Sequence, residues 1–259
     1  MTPAEILSTD LADAAQELRE RDEPFAFATI VRTAGSTAAK PGAKALLSAD
    51  GTILQGWLGG GCTRAAVKRA ARQALRDGTP QLVSVAPQDL LAEKGLTAGD
   101  EVDGTHFARN GCPSRGTVDI FIEPCLPSPQ LVVMGASPVA QALAALAPQF
   151  HWLVTTDIGE VKPHQQRFVV VATQGQGDLD ALTSALSSGP DYVAFVGSRR
   201  KYAALAQKLA QAGIAQSLID RVNAPAGLDL GAVTPEEIAL SVLAQLVQRR
   251  RSAVKQNDG

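Results

Sequence analysis

The sequence predicts an α/β protein, an N-terminal α/β domain followed by a Rossmann-like parallel-sheet domain. Three observations carry this. The chain has 259 residues, and at about 100–200 residues per domain it divides most naturally in two. Beyond residue 130, short continuous apolar runs alternate with helical segments, the pattern of a parallel sheet covered on both faces. Between the halves lies Pro124-Cys125-Leu126-Pro127-Ser128-Pro129, whose prolines predict an extended linker without regular structure. The expected bounds are 1–126, 130–250 and a charged, fraying tail, 251–259.

Thr2-Pro3-Ala4-Glu5 is a capping box with Pro at the first helical position, and Ile6, Leu7, Leu11, Ala14 and Leu18 make one apolar face up to about Arg21. A strand is expected at Phe25–Arg32. The loop TAGSTAAKPG leads to a second at Ala43–Ser48, and Asp50-Gly51 turns the chain into a third at Thr52–Leu58. Gly59-Gly60-Gly61-Cys62 then opens a helix to about Asp77, stopped by Gly78. Leu82–Ala86 and Thr117–Glu123 read as strands. In the second half QLVVM, HWLVTT, RFVVVAT and DYVAFV are strands, with helices at GASPVAQALAALA, near Asp178–Ser188 and from about Arg200 to Ala212. A second capping box, Thr234-Pro235-Glu236-Glu237, starts the last helix, expected to reach Arg250.

Composition narrows the function. With 24 basic and 26 acidic residues the net charge is −2, so global electrostatics gives no reason to expect nucleic-acid binding. No apolar run approaches the roughly 20 residues that span a membrane. The N-terminus lacks a basic segment followed by an apolar one, so no export signal is read there. Three cysteines, Cys62, Cys112 and Cys125, without CxxC spacing, argue against a disulfide framework or zinc ribbon and for a reducing cytoplasm. The histidines show no ligand spacing, and no G-x-S-x-G elbow offers a hydrolase nucleophile.

The strongest chemical signal is Gly59-Gly60-Gly61-Cys62. Successive glycines let backbone come close to a ligand. The cysteine falls at a helix N-terminus, where the macrodipole and orphan N–H groups favour a thiolate, a nucleophile and soft metal ligand. Arg64, Lys68, Arg72 and Arg76 follow one per turn, and Arg64 in the first turn opposes the dipole unless an anion is near. Arg32, Lys40 and Lys44 are cations flanking the loop upstream. Cys112 sits in a second glycine-flanked loop, Asn110-Gly111-Cys112-Pro113-Ser114-Arg115-Gly116. Cys125 is read as structural.

Two turns in the second half are candidate nucleotide sites. Gly135-Ala136-Ser137-Pro138-Val139-Ala140 follows a strand and opens a helix, and Asp157 lies 22 residues beyond Gly135, where an acid holds a ribose in dinucleotide folds. Ser137 replaces the glycine expected at the pyrophosphate, so Gly135, Ser137, Ala140 and Asp157 form an incomplete fingerprint. Gly197-Ser198-Arg199-Arg200-Lys201 is a second strand-to-helix turn with the character of an anion site.

Together these segments resemble the XdhC/CoxI-type accessory factors of molybdenum hydroxylases. The resemblance rests on VRTAGSTAAKPGAKALLSADG, GWLGGGC, NGCPSRGTVDIFIEP, LVVMGASPVAQALAALA, FVGSRRK and PAGLDLGAVTPEEIALSVLAQL. Arg64 after the cysteine, and Pro113-Ser114 where many members have two glycines, look like the branch associated with carbon monoxide dehydrogenase-type clusters. The resemblance implies a chaperone more than a stand-alone enzyme. It would bind the molybdenum cofactor (molybdopterin, or a dinucleotide form of it) during sulfuration by a cysteine desulfurase, then deliver it to an apo molybdenum hydroxylase. Gly59, Gly60, Gly61, Cys62 and Cys112 would line the cofactor, with Cys62 as molybdenum ligand; Arg32, Lys40, Lys44 and Arg64 would offset phosphate charge. Gly135, Ser137, Ala140, Asp157, Gly197, Ser198 and Arg199 would take a nucleotide portion if one is present. A homodimer is compatible with this picture. The competing expectations are an NAD(P)-dependent oxidoreductase using Gly135, Ser137, Ala140 and Asp157, and a protein–protein scaffold with vestigial sites.

Overall fold

The computed structural model describes residues 3–113, 115–159 and 165–255, with the side chains of 10–251 among them. The chain divides into two compact units, one ending at Pro127 and the other starting at Ser128.

In the first unit α1 (Pro3–Glu20) precedes β1 (Phe25–Ala34), β2 (Lys44–Ser48) and β3 (Ile53–Gly56). Gly51 takes φ +77° in the Asp50-Gly51 turn, the left-handed conformation that joins β2 to β3. The helix α2 (Gly61–Asp77) follows and ends on Gly78, whose φ of +71° caps it with a bond to the Ala74 carbonyl. Next come β4 (Gln81–Ala86), α3 (Gln88–Glu93), β5 (Glu101–Val102), β6 (Thr105–Arg109) and β7 (Thr117–Cys125). The strands form one mixed sheet in the order β3-β2-β1-β7-β4-β6-β5. Only β4 and β6 pair in parallel.

Alternation along the strands divides the faces. Ala26, Ala28 and Ile30 of β1 and Val118, Ile120 and Ile122 of β7 bury against Val67, Ala70, Ala71 and Ala74 of α2. Leu46 and Phe25 pack against Leu11, Ala15 and Leu18 of α1, so α1 and α2 lie on opposite faces. The capping-box residue Thr2 lies outside the described residues.

Three expectations need correction. First, Pro124 and Cys125 are the last residues of β7, opposite Ala26 and Phe25 of β1, so the proline segment does not exclude regular structure. The pairing of β7 with β4 ends at Ile122; Pro124 therefore stands where one strand edge is open and a missing N–H breaks no ladder. Second, β1 continues past Arg32 to Ala34 through a bulge between Ile30 and Arg32. Third, β3 stops at Gly56, where the chain passes so close to β2 that a Cβ would lie 2.2 Å from the Lys44 carbonyl oxygen. The hairpin β5–β6 escapes a search for apolar runs, since β5 has two residues; its signal is the turn Asp103-Gly104, both at positive φ.

The second unit contains β8 (Gln130–Met134), α4 (Pro138–Leu146), β9 (Leu153–Thr155), β10 (Arg167–Val171), α5 (Asp178–Ser187), β11 (Tyr192–Phe195), α6 (Arg199–Gln211), α7 (Gln216–Ile219) and α8 (Pro235–Lys255). Its strands are all parallel in the order β11-β10-β8-β9. Leu131, Val133, Phe168 and Val170 face α4 and α8; Val132, Val169 and Val171 face α5, α6 and α7. This is the doubly wound, Rossmann-like sheet the alternation predicts. The helix α8 runs beyond Arg250 to Lys255: Arg251-Ser252-Ala253-Val254-Lys255 contains no glycine or proline to stop it. Among the described residues no helix is long and apolar enough to cross a membrane.

Candidate functional site

The first sheet gathers its loops at one end. Ala34 of β1 is opposite Thr117 of β7, and Ala86 of β4 is beside Arg109 of β6. The chain leaves β1, β3, β4 and β6 at that end and re-enters there as β7. The loops 35–43, 57–60 and 110–116 therefore emerge together, and the N-terminus of α2 joins them.

Cys62 is the second residue of α2 and is exposed. The N-cap is Gly60, which has no side chain to cap the helix, and no acidic residue stands in the first turn. The N–H groups there keep their capacity to bind an anion. Gly59 needs its glycine, at φ +116°. At Gly60 and Gly61 a Cβ would meet nothing within 4 Å, and neither has a positive φ. The fold therefore does not demand glycine at 60 or 61.

Gly111 donates its N–H to Cys62 Sγ at 3.3 Å. A Cβ at position 111 would sit 3.4 Å from the same sulfur, so the two glycine–cysteine segments touch. Asn110 organises the second loop. Its Nδ2 donates to the Gly116 carbonyl at 2.6 Å, its Oδ1 accepts the Cys112 N–H at 2.9 Å, and its own N–H extends the β4 ladder to the Ala86 carbonyl at 2.7 Å. Gly116 is tied to the first loop, for a Cβ there would lie 2.5 Å from the Ser36 carbonyl oxygen. Arg115 reaches Asp89. Cys112 is exposed beside the Cys62 contact. The Asn110-Gly111 dipeptide was the available signal for these organising residues.

The cations separate. Arg64 is exposed in the first turn of α2 and makes no ion pair with a described residue. It heads a basic face whose Lys68, Arg69, Arg72 and Arg76 line a groove of about 320 Å³; Lys68 pairs with Asp50 at 3.2 Å. Lys40 is exposed on the loop after β1. Arg32 and Lys44 stand elsewhere. Arg32 Nε bonds the Asp119 carboxylate at 2.5 Å, and Asp119 also accepts the Ser84 hydroxyl at 2.7 Å. Asp119 alternates with Val118 and Ile120, which face α2, so this chain of contacts runs across the opposite face. Lys44 Nζ lies 3.2 Å from Thr29 Oγ1 on that same face. Cys125, half-buried against the α1 cluster, has its thiol pushed up by burial, with Arg19 opposing.

In the second unit the fingerprint residues have structural duties. Gly135 has φ +113°, and a Cβ would come within 2.5 Å of the Ala172 carbonyl oxygen, so its glycine serves the close approach of β8 to the end of β10. Ser137 is the N-cap of α4, its hydroxyl accepting the Ala140 N–H at 3.1 Å. Asp157 is exposed after β9. Gly197 accommodates the Phe195 ring, which a Cβ would meet at 2.4 Å. Ser198 caps α6 by accepting the Lys201 N–H, and Arg199 is exposed. Lys201 reaches the buried Asp178 at 2.6 Å. Burial pushes the Asp178 carboxyl up, but Lys201, Thr173 and the Gly175 N–H outweigh it and hold the group below the usual carboxylate range. A cavity of about 550 Å³ at the outer edge of β11, lined by Tyr192, Arg221, Asn223 and Arg249 among others, contains none of the predicted site residues. No cluster of three or more potential metal ligands occurs among the described residues.

A family model described as "XdhC and CoxI family" matches residues 18–86, which include β1, the GGGC turn and β4. A second, described as "XdhC Rossmann domain", matches residues 131–246. The Escherichia coli K12 protein named "Uncharacterized protein YqeB" is 30% identical over 268 aligned residues, covering 92% of this chain and 46% of that protein; the chain spans about half the length of that relative. A Bacillus halodurans structure described as a xanthine dehydrogenase is 21% identical, with 97% of this chain and 96% of that one covered and a TM-score of 0.42.

Proposed function

Since this chain belongs to the XdhC and CoxI family, an accessory-factor family for molybdenum hydroxylases, we propose that it binds the molybdenum cofactor at the N-terminus of α2. It holds the cofactor while a cysteine desulfurase installs the sulfido ligand, then hands it to an apo molybdenum hydroxylase. The observation that carries this reading is the space at Gly60 and Gly61. Both are glycine where a Cβ would touch nothing, beside an exposed cysteine and an uncapped helix end. A ligand brought against the backbone accounts for both glycines; the fold by itself does not.

The donor set fits an anionic, soft-metal ligand. Cys62 Sγ offers a soft sulfur. The first-turn N–H groups of α2 and the Arg64 guanidinium offset phosphate charge, with Lys40 as a further cation on the neighbouring loop. Gly111, through its N–H, orients the Cys62 sulfur, and Cys112 supplies a second thiol beside it. The bound cofactor supplies the molybdenum centre that the client enzyme uses. Arg32, engaged with Asp119, and Lys44, beside Thr29, contribute to the opposite sheet face instead.

Isolation of the chain from cells replete in molybdenum, followed by assay of bound molybdopterin, tests the proposal. The native chain carries molybdopterin, and Cys62→Ser loses most of it while melting within a few degrees of the parent, because an exposed side chain contributes about 0.5 kcal/mol or less. Cys125→Ser retains it. Equal molybdopterin in the native and Cys62→Ser chains would reject the role of the sulfur.

A further inference from the structure

We propose that Cys62 and Cys112 form a reversible intramolecular disulfide across the mouth of this site. The geometry points to it independently of any cofactor. Cys62 Sγ is 3.3 Å from the Gly111 nitrogen, and a Cβ at 111 would be 3.4 Å from it. Cys112 is the next residue, its Cα one step of about 3.8 Å from that of Gly111, so the chain sets the second thiol on the residue that adjoins the Cys62 sulfur. Both side chains are exposed to solvent. Cys112 lies in a loop outside the sheet, between Arg109 of β6 and Thr117 of β7. Its N–H is held by Asn110 Oδ1 and its carbonyl by the Arg115 N–H at 3.1 Å, so the cross-link forms at the expense of these loop hydrogen bonds and not of the β6 or β7 pairing, which lies outside residues 111–113. Cys125, half-buried at the far end of β7, has no part in it.

The oxidant is a small disulfide of the glutathione class. The Cys62 thiol loses its proton to solvent, and its sulfur attacks one sulfur of the oxidant. The oxidant's S–S bond breaks, the departing thiolate takes up a proton, and Cys62 carries a mixed disulfide. The deprotonated Cys112 sulfur then attacks Cys62 Sγ and expels the second glutathione thiolate. Two protein thiols are oxidised to one disulfide, and one small disulfide is reduced to two thiols. In that state Cys62 offers no thiolate to a soft metal, so the site is silenced under oxidation. This consequence rests on the proposed function; the cross-link does not.

Oxidised glutathione, added in graded ratio to reduced glutathione, is the probe for the full-length chain. Acid quenching, alkylation and peptide mass analysis then read the products. The expected native product is a Cys62–Cys112 cross-linked peptide, formed within one chain, lost on adding dithiothreitol and accompanied by the loss of two hydrogens. Cys112→Ser instead stops at a glutathione adduct on Cys62, and Cys125→Ser behaves as the native chain. Separate glutathione adducts on Cys62 and Cys112 without a cross-link overturn the proposal, as does a cross-link between chains or one through Cys125. Molybdopterin retention, assayed on the oxidised and reduced chains, separates the two ideas. Equal retention with the cross-link formed rejects silencing of the site and leaves the disulfide standing.

Discussion

Gly111 donates its backbone N–H to Cys62 Sγ across 49 residues of sequence. This bond joins the loop between β6 and β7 to the first turn of α2 and makes one site of two glycine–cysteine motifs. A thiol sulfur that accepts from backbone is oriented by the loop that contacts it. Asn110 shapes that loop through the Gly116 carbonyl and the Cys112 N–H, so under the proposed function Asn110→Ala should lower bound molybdopterin.

The three glycines before Cys62 should separate cleanly on substitution. Gly61→Ala leaves stability unchanged within about 0.5 kcal/mol, since the added methyl meets no atom and alanine favours helix. Gly60→Ala costs no more than about 1 kcal/mol as a weaker N-cap. Gly59→Ala costs about 1–2 kcal/mol because its φ of +116° suits glycine. All three reduce bound molybdopterin. Urea unfolding alongside the molybdopterin assay checks this; full retention in Gly60→Ala and Gly61→Ala would remove the basis of the proposed site.

Gly135→Ala should destabilise the second unit by about 3 kcal/mol, through a positive φ and a Cβ 2.5 Å from the Ala172 oxygen. Chemical denaturation followed by far-ultraviolet circular dichroism measures the loss. A loss below 1 kcal/mol would show that β8 and β10 separate readily at this point.

Nicotinamide dinucleotides should not bind at micromolar concentration. The Ser137 hydroxyl already occupies the α4 N-terminus by accepting from Ala140, and glycine is absent where pyrophosphate approaches backbone. Fluorescence titration with NADH and NADPH is the measurement. Saturable binding abolished by Asp157→Ala would instead favour the oxidoreductase.

Asp178 gives the second unit a defined acid dependence. Its carboxyl is held below the usual value of about 3.9, so its contribution is present above that pH and is lost as pH falls through the folded value. Asp178→Asn leaves Lys201 without its carboxylate and should cost about 1–2 kcal/mol at pH 7. The difference between Asp178→Asn and the native chain then narrows under acid. Paired urea titrations from neutral pH down to pH about 3 follow that narrowing; a constant difference refutes the assignment.

The two tyrosines, Tyr192 and Tyr202, are the chain's only ones, and both titrate late. Burial pushes Tyr192 up to about 12, partly opposed by Arg249, and burial with the nearby Asp220 carboxylate pushes Tyr202 up to about 12. A raised folded value stabilises the fold below the unfolded value, about 10, and that contribution disappears between there and the folded value. Phenolate absorbance of the folded chain should therefore rise well above the pH at which the urea-unfolded chain titrates. Coincident curves would contradict the burial of both rings.

Local chemistry made much of the molecule legible in the sequence. The GGGC turn opens α2 and Gly78 ends it because glycine conformation and helix capping act over a few residues. The alternation of apolar strands with helices after residue 130 marks a parallel sheet, since burial on both faces leaves the runs FVVV and VAF without a polar position. What lay beyond the sequence are the long-range pairings. Whether Arg32 serves the Cys62 site depends on β1 lying next to β7 in a register that sets it opposite Asp119; one residue of slip would turn it to the other face. Gly135 and Ser137 look like ligand residues in one dimension, yet the approach of Ala172 and the capping of α4 employ them both. The contact of Gly111 with Cys62 likewise exists only because β6 and β7 deliver their loop to the end of the sheet where α2 begins. Sequence spacing determines which side chains share a helix turn or a strand face; only the packed sheet determines which loops meet.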